Sequence, residues 1–261
     1  MEIIEQKSEN IFYRYLKNSK ENHTLLFLHG FTGTSSVWDD YVETLKDKFN
    51  IILIDLVGHG NSGSPKTIDE YSFSNQAEKI VKILNQLEIG SVSIISYSFS
   101  CHISLLIKEK MQEKIKSMIF VSPYFKGENN FFEKLIFDFV GIVWRCLVPN
   151  KKFKLNYSKL KNYENPNFHD TRYVLKCINT KDLLGSVYSL KNYEGALGLE
   201  NLKIPLLIIY GKNDKTLSEK TKNLFARLKT AEIKIIENKK HKFLKTEAPK
   251  IVRIIENFLI K

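Results

Sequence analysis

The chain has 261 residues, of which 43% are hydrophobic, enough to bury one substantial core in a single α/β domain with an insertion. Its net charge of +11 comes from scattered lysines rather than a dense basic run with interleaved aromatic residues, so we expect no nucleic-acid partner. The three cysteines, Cys101, Cys146 and Cys177, lack the Cys-x-x-Cys spacing of a zinc or redox site.

The N-terminus and the most apolar stretch bear on location. Residues 1–10 contain Glu2, Glu5 and Glu9 and have neither the basic start nor the apolar core of a signal peptide. Residues 131–148 are interrupted by charged side chains, whereas a membrane-spanning helix needs about 20 mostly apolar residues. We therefore expect a cytoplasmic protein with no stable membrane insertion.

Short β-branched runs alternate with longer helical patterns along the chain, which is typical of βαβ units around a parallel sheet. Six runs are nearly continuous in apolar residues, as expected of strands covered on both faces. They lie at residues 25–28, 51–55, 92–96, 117–121, 206–210 and 232–236. Residues 11–16 predict an antiparallel edge strand before them.

Helical periodicity fills the intervals between these strands. Predicted helices lie at residues 74–87, 99–112, 218–228 and 248–260. In the last of them the apolar residues recur at the spacing of a helix with one buried face. The fold class predicted is α/β, a mostly parallel twisted sheet flanked by helices on both faces.

The regular alternation stops after Pro123 and resumes at Ile204. We therefore expect a core domain of residues 1–124 and 199–261 and a helical cap insertion of residues 125–198. Apolar residues, Trp144 among them, recur at helical spacing from 131 to 147 and predict an amphipathic helix. Its apolar face can pack on the core, line an acyl or aromatic pocket, or dock transiently on a membrane surface.

A candidate nucleophile stands where a predicted strand runs into a predicted helix, in Val-Ser-Ile-Ile-Ser-Tyr-Ser-Phe-Ser, residues 92–100. A sharp strand-to-helix turn would project the Ser98 hydroxyl above the sheet, with the helix dipole directed at the reacting atoms. The usual pattern at such a turn is Gly-x-Ser-x-Gly, and here Ser96 and Ser100 stand at the glycine positions. The alternative is that these serines only cap a helix.

A second strand end, His29-Gly30-Phe31, supplies a candidate oxyanion hole. We expect the backbone N–H groups of Phe31 and Phe99 to face the nucleophile, and one such preorganised donor contributes roughly 3 to 4 kcal/mol of transition-state stabilisation. The alternative is an ordinary glycine turn with His29 as a structural hydrogen-bonding group. His59 lies too early in the chain order to be the preferred base, so we interpret it as structural.

A candidate acid and a candidate base follow the last two predicted strands. Asp214 comes just after residues 206–210, where a carboxylate can orient a histidine and stabilise its imidazolium. His241 follows residues 232–236 and is the only histidine in the C-terminal third of the chain. Because each group follows the carboxyl end of a strand, we expect Ser98, Asp214 and His241 to form a catalytic triad.

The segments His-Gly-Phe-Thr-Gly (29–33), Ser-Tyr-Ser-Phe-Ser (96–100), Gly-Lys-Asn-Asp (211–214) and His-Lys-Phe-Leu (241–244) resemble the α/β-hydrolase superfamily over essentially the full chain. Gly-His-Gly-Asn-Ser (58–62) and Tyr71 resemble in particular the menaquinone-pathway 2-succinyl-6-hydroxy-2,4-cyclohexadiene-1-carboxylate synthases, which eliminate pyruvate. That subgroup holds a substrate carboxylate with an arginine just after the nucleophile turn. Here the matching position is His102, which lacks the bidentate fork of an arginine.

These residues predict a carboxylesterase-like serine hydrolase that acts on a small, partly apolar acyl substrate without a metal or an organic cofactor. The candidate pocket residues are His29, Gly30, His102 and Trp144. Two alternatives stay open: a lyase that eliminates pyruvate with the same triad, as the subgroup resemblance implies, and a non-catalytic binding protein of the same fold.

Overall fold

The computed structural model describes residues 2–18, 23–125, 131–146, 180–192 and 198–261, without the side chains of 131–134, 137, 144–146 and 191–192. Eight strands within these ranges form one sheet in the order β1-β2-β4-β3-β5-β6-β7-β8. The strands are β1 Glu2–Ser8, β2 Ile11–Lys17, β3 His23–Leu28, β4 Asn50–Asp55, β5 Ser91–Tyr97, β6 Ile115–Val121, β7 Leu206–Gly211 and β8 Ala231–Ile236. The described α-helices are α1 Asp39–Leu45, α2 Phe73–Gln86, α3 Ser100–Met111, α4 Phe131–Cys146, α5 Thr180–Tyr188, α6 Glu219–Arg227 and α7 Ala248–Leu259.

The sheet is parallel from β4 to β8, because all neighbouring strands in that part pair in parallel register. Every residue of β4 and of β7 is buried, as their continuous apolar sequences predict. The predicted fold class is confirmed. In the described residues no helix is long and apolar enough to cross a bilayer.

The position of β2 differs from the sequence expectation. This strand is antiparallel as predicted, but it lies between β1 and β4, and β1 is the edge. The sequence of β1, Glu-Ile-Ile-Glu-Gln-Lys-Ser, has no continuous apolar run, and most of its residues are exposed. An exposed edge strand does not require such a run. Its charged side chains also discourage pairing with another chain.

Helices cover both faces of the sheet. The buried side chains of α1 and α7 belong to one apolar core, and those of α2, α3 and α6 belong to the other. Helix α1 was not predicted, since its seven residues are too few for a helical period to stand out. Tertiary contacts stabilise it instead: the buried Tyr41 donates a hydrogen bond from its hydroxyl to the distant Leu244 carbonyl at 2.7 Å.

Strand order reverses at β3, which lies between β4 and β5. The chain moves from β3 to one side to form β4 and then crosses to the other side to form β5. This crossing places the carboxyl ends of β3 and β5 side by side, with Leu28 opposite Ser96. In open α/β sheets, ligands bind in the crevice outside the strand ends where such a reversal occurs.

The described helices between β6 and β7 lie over this part of the sheet. Helices α4 and α5 pack on each other and on the 3-10 helix Ile68–Tyr71. Gly185 in α5 sits so close to Tyr71 that an added Cβ would be 2.4 Å from the ring. Leu135, Ile136, Phe139 and Ile142 of α4 are each at least half exposed, so that part of the predicted apolar face is not buried by the described residues.

One buried carboxylate anchors α5 to the sheet domain. Asp182 is 1% exposed and accepts hydrogen bonds from the Tyr71 hydroxyl and, at 2.6 Å, from the Ser64 hydroxyl. Gly58, with φ of +77°, passes below it, where a Cβ would lie 2.9 Å from a carboxylate oxygen. The glycine-rich segment after β4 therefore leaves room for a carboxylate from the segment between β6 and β7.

We expect Asp182→Ala to lower the free energy of unfolding by about 1 to 3 kcal/mol, because the hydroxyls of Ser64 and Tyr71 lose a buried acceptor. Urea unfolding followed by circular dichroism measures the change. Glu200→Ala, which removes an exposed carboxylate from the 3-10 helix Leu199–Asn201, should alter stability by less than about 0.5 kcal/mol. Equal effects of the two substitutions would contradict the anchoring role of Asp182.

Two buried histidines lie at the carboxyl ends of β3 and β4. His29 Nε2 accepts a hydrogen bond from the Leu56 N–H at 3.0 Å, and His29 Nδ1 donates to the Gly30 carbonyl at 2.8 Å. The His59 ring lies 5.1 Å from it, and its Nδ1 donates to the Val57 carbonyl at 3.0 Å. Burial lowers the pKa of both rings, which favours the neutral imidazole in each.

Stability should therefore fall as the pH drops below the ordinary histidine value of 6.5. Below that pH the unfolded chain binds protons that the folded chain excludes, which costs up to about 1.4 kcal/mol per pH unit for each histidine until its lowered folded pKa is reached. Urea unfolding at pH 7.5, 6.5 and 5.5 tests this, with His59→Asn expected to show a shallower slope. A free energy of unfolding that stays constant over this range would contradict the expectation.

Candidate active site

Ser98 occupies the turn between β5 and α3 with a left-handed backbone, φ of +59°. This conformation is uncommon for a residue with a side chain and marks a strained strand-to-helix turn. Three main-chain hydrogen bonds hold it. The Ser98 N–H donates to the Val121 carbonyl at 3.0 Å, and the Ser98 carbonyl accepts from the N–H groups of Cys101 and Tyr124, both at 3.2 Å.

The serines that replace the usual glycines fit this turn. The Ser100 hydroxyl lies 3.1 Å from the Leu28 carbonyl and 3.0 Å from the Tyr97 carbonyl, and it accepts from the Tyr97 N–H at 3.1 Å. It therefore ties the turn to the end of β3. Ser96 is fully buried. Burial raises the pKa of the Cys101 thiol, so this cysteine beside the turn stays protonated.

Ser98, His241 and Asp214 are joined by hydrogen bonds. Ser98 Oγ lies 2.9 Å from His241 Nε2, and His241 Nδ1 lies 2.9 Å from Asp214 Oδ2. A carboxylate only accepts, so the imidazole proton resides on Nδ1 and Nε2 is left to accept the Ser98 proton. Ser98 and His241 are 143 positions apart in the chain and meet because β5 and β8 end at the same edge of the sheet.

Asp214 is 1% exposed but remains a carboxylate. Burial alone would raise its pKa, yet hydrogen bonds from His241 and Thr216 outweigh burial and hold the pKa below the ordinary value. Thr216 donates to Asp214 Oδ1 through both its N–H, at 2.9 Å, and its hydroxyl, at 2.6 Å. Sequence reasoning missed Thr216, because a threonine two positions after an aspartate is ordinary loop composition.

Tyr97 supports His241 from below. Their rings stack with 5.7 Å between centroids and 25° between planes, and the Tyr97 hydroxyl donates to the His241 carbonyl at 3.3 Å. Gly30 is confined by the same tyrosine, since an added Cβ would lie 2.6 Å from its ring. Tyr97 was also not singled out from the sequence, where it was only the residue before the candidate nucleophile.

Phe31 and Phe99 face each other across the crevice, edge to face with 5.8 Å between ring centroids. Both line the cavity that contains Ser98. Within the described part of the chain, neither backbone N–H donates a hydrogen bond to another residue. Phe99 directly follows Ser98 in the chain, and Phe31 follows the end of β3, the strand beside β5.

The cavity above Ser98 has a volume of about 440 Å³, within the size range of small-molecule sites. Its walls come mainly from the loops after β3 and β8, and Leu190 contributes from the segment between β6 and β7. Most lining side chains are apolar or aromatic. Among the described lining residues, Lys242 and Lys245 carry positive charge and none carries a carboxylate.

The four residues predicted to line the pocket lie in different places. Gly30 lines the cavity, whereas His29 and His102, which were expected there, are not among its described lining residues. His29 is fully buried, and both of its ring nitrogens bond to backbone groups. His102 projects from α3 against Phe73, at 5.3 Å between ring centroids, because its helical position faces α2. The side chain of Trp144 lies outside the described residues.

Within the described ranges, no group of three or more His, Cys, Asp or Glu side chains is arranged to hold a metal ion. The described site brings together a hydroxyl, a base on one side of it and a charged carboxylate behind the base, the groups that an activated nucleophile requires.

The chain is similar to one protein-family model and to several known proteins. The family model described as alpha/beta hydrolase fold matches residues 23–143. Pimeloyl-[acyl-carrier protein] methyl ester esterase of Wigglesworthia glossinidia brevipalpis is 31% identical over 219 residues, 78% of this chain and 78% of that protein. A putative 2-succinyl-6-hydroxy-2,4-cyclohexadiene-1-carboxylate synthase of Bacillus subtilis is 29% identical over 101 residues, 39% of this chain and 36% of that protein.

The chain matches only 6% to 37% of the length of several curated relatives. Similarity to part of a protein does not transfer the activity of the whole protein to this chain. The solved structure of MenH from S. aureus superposes with a TM-score of 0.74 and 20% identity, covering 95% of this chain and 97% of that one, which supports the fold alone. On the family match and the esterase relative, the chain belongs to the α/β-hydrolase fold family.

Proposed function

We propose that the chain is a serine hydrolase that cleaves a small, partly apolar carboxylic ester or a similar acyl substrate. The observation that carries this proposal is the row of hydrogen bonds from Ser98 Oγ through His241 to Asp214, opening onto a cavity. The strained Ser98 backbone adds support, since such strain is retained at functional sites.

In the acylation step, Ser98 Oγ attacks the substrate carbonyl carbon while His241 Nε2 takes the hydroxyl proton. The carbonyl oxygen becomes negative and is held by the N–H groups of Phe31 and Phe99. The tetrahedral intermediate collapses, the carbon–oxygen bond to the leaving alcohol breaks, and the imidazolium gives its proton to that alcohol. Asp214 holds the imidazole in orientation and stabilises its positive charge.

In the deacylation step, water enters and the same groups act again. His241 takes a proton from the water as its oxygen attacks the acyl-enzyme carbonyl, and the two N–H groups hold the second oxyanion. The bond to Ser98 Oγ then breaks, Ser98 recovers its proton from His241, and the carboxylic acid leaves. This sequence uses only groups of the described chain and water.

The cavity walls support a substrate with an apolar acyl or alcohol part. Phe31, Phe99, Phe243 and Leu244 line it, and an apolar surface gains from contact with apolar substrate groups. Leu190 reaches the same space from the segment between β6 and β7. We therefore assign residues 125–198 as the cap and residues 1–124 and 199–261 as the core domain.

Ser98→Ala should lower kcat/KM for short p-nitrophenyl esters by at least about a thousandfold, because the nucleophile is lost while the oxyanion donors remain. A fluorophosphonate probe should label the native chain at Ser98, found by peptide mass spectrometry, and should not label Ser98→Ala. Ser104→Ala is the matched control. The Ser104 hydroxyl lies in α3, one helical turn beyond Ser100, and donates to the Ser100 carbonyl at 3.2 Å. A native protein that neither hydrolyses these esters nor takes the probe would overturn the proposal.

Elimination of pyruvate is the second candidate, supported by the similarity to the Bacillus subtilis putative synthase. Hydrolysis is favoured because the His102 ring packs against Phe73 and does not line the cavity, so it offers no carboxylate contact there. Incubation with the synthase substrate and lactate dehydrogenase with NADH distinguishes the two. We expect no pyruvate-dependent loss of NADH absorbance. Release of pyruvate at a rate above that of ester hydrolysis would favour elimination over hydrolysis.

A further inference from the structure

The Thr216 hydroxyl contacts both supporting members of the Ser98 site. Thr216 Oγ1 lies 2.6 Å from Asp214 Oδ1 and 2.8 Å from His241 Nδ1. The second distance is slightly shorter than the 2.9 Å between His241 Nδ1 and Asp214 Oδ2. A single hydroxyl thus bridges the carboxylate and the imidazole on the side away from Ser98.

Counting protons decides the direction of these bonds. Asp214 is a carboxylate and can only accept, and Thr216 has one hydroxyl proton, which the 2.6 Å contact assigns to Asp214 Oδ1. The oxygen of Thr216 therefore presents a lone pair to His241 Nδ1. The proton on Nδ1 is shared between two acceptors, Asp214 Oδ2 and Thr216 Oγ1.

We propose that Thr216 is a positioning residue, which fixes the His241 tautomer and stabilises the imidazolium that forms when Ser98 loses its proton. Its backbone N–H and hydroxyl both hold Asp214 Oδ1, which leaves Oδ2 directed at His241. Its oxygen supplies a second acceptor to Nδ1–H. The consequence for rate rests on the proposed hydrolase function, whereas the shared proton is a property of the ground state.

The location of Thr216 explains why a hydroxyl matters there. Asp214 is buried, whereas Thr216 is exposed, so its hydroxyl bridges the carboxylate and the imidazole at the solvent side of the site. A fixed dipole stabilises a developing charge without the reorganisation that mobile water requires. Substitution by valine keeps the β-branched shape and the backbone N–H and removes only the hydroxyl.

We expect Thr216→Val to lower kcat for a p-nitrophenyl ester about five- to tenfold with KM changed less than about twofold, the scale of one lost hydrogen bond that strengthens in the transition state. Thr216→Ser restores the hydroxyl and should stay within about twofold of the native kcat. Thr230→Val is the matched control: it removes a threonine hydroxyl that bonds to the Leu202 carbonyl, at 3.1 Å, outside the site. Equal losses in Thr216→Val and Thr216→Ser would overturn the role of the hydroxyl.

A spectroscopic measurement tests the shared proton without reference to activity. In protein labelled with ¹⁵N-histidine, the downfield proton resonance bonded to His241 Nδ1 should shift and exchange faster with water in Thr216→Val, and stay near its native position in Thr216→Ser. An unchanged resonance in Thr216→Val overturns the inference. If the native chain hydrolyses no ester, the proposed function fails, and the resonance still decides whether Thr216 holds this proton.

Discussion

The left-handed backbone of Ser98 is the constraint on which the rest of the site depends. A residue with φ of +59° between a buried strand and a helix stays in place only when its neighbours hold it. The Val121 carbonyl receives its N–H, and the Ser100 hydroxyl joins the turn to the end of β3. Tyr97 is turned beneath His241 by the same bend, and its ring takes the space that a side chain at position 30 would need. The turn at Ser98 thus lies beside Gly30 and Tyr97, and Ser98 itself lines the cavity.

The electrostatics of the site depend on a buried carboxylate that remains charged. Burial opposes the charge of Asp214, and donors from His241 and Thr216 overcome that opposition. A charged Asp214 requires the proton of His241 to be on Nδ1, which leaves Nε2 free to accept from Ser98. Two buried histidines nearby show the opposite outcome: His29 and His59 bond to backbone carbonyls, and burial lowers the pKa of each. Residues of one type therefore differ in role because their partners differ.

Helix α5 meets the segments that follow β4 through polar contacts as well as apolar ones. Asp182 reaches between Gly58 and Tyr71, so the glycine at position 58 leaves room for the docking of α5. At the position where the menaquinone-pathway synthases carry an arginine, His102 packs between helices, away from the lining of the cavity.

Hydrophobic patterning alone determined the parallel strands, the order of the helices and the interruption between β6 and β7, because strands covered on both faces must be continuously apolar. Residue type and position after the predicted strands then singled out Ser98, Asp214 and His241, because parallel strands end at one edge of a sheet. Tertiary structure alone decided that these side chains lie 2.9 Å apart, that Thr216 joins them, and that His29 and His102 turn away from the cavity. The exposed strand β1 and the short helix α1 also escaped the sequence, because the neighbouring element, β2 for β1 and α7 for α1, holds each in place rather than its own periodicity. A sequence pattern reports which face of an element is buried, whereas the direction of one polar side chain depends on partners that only folding brings near.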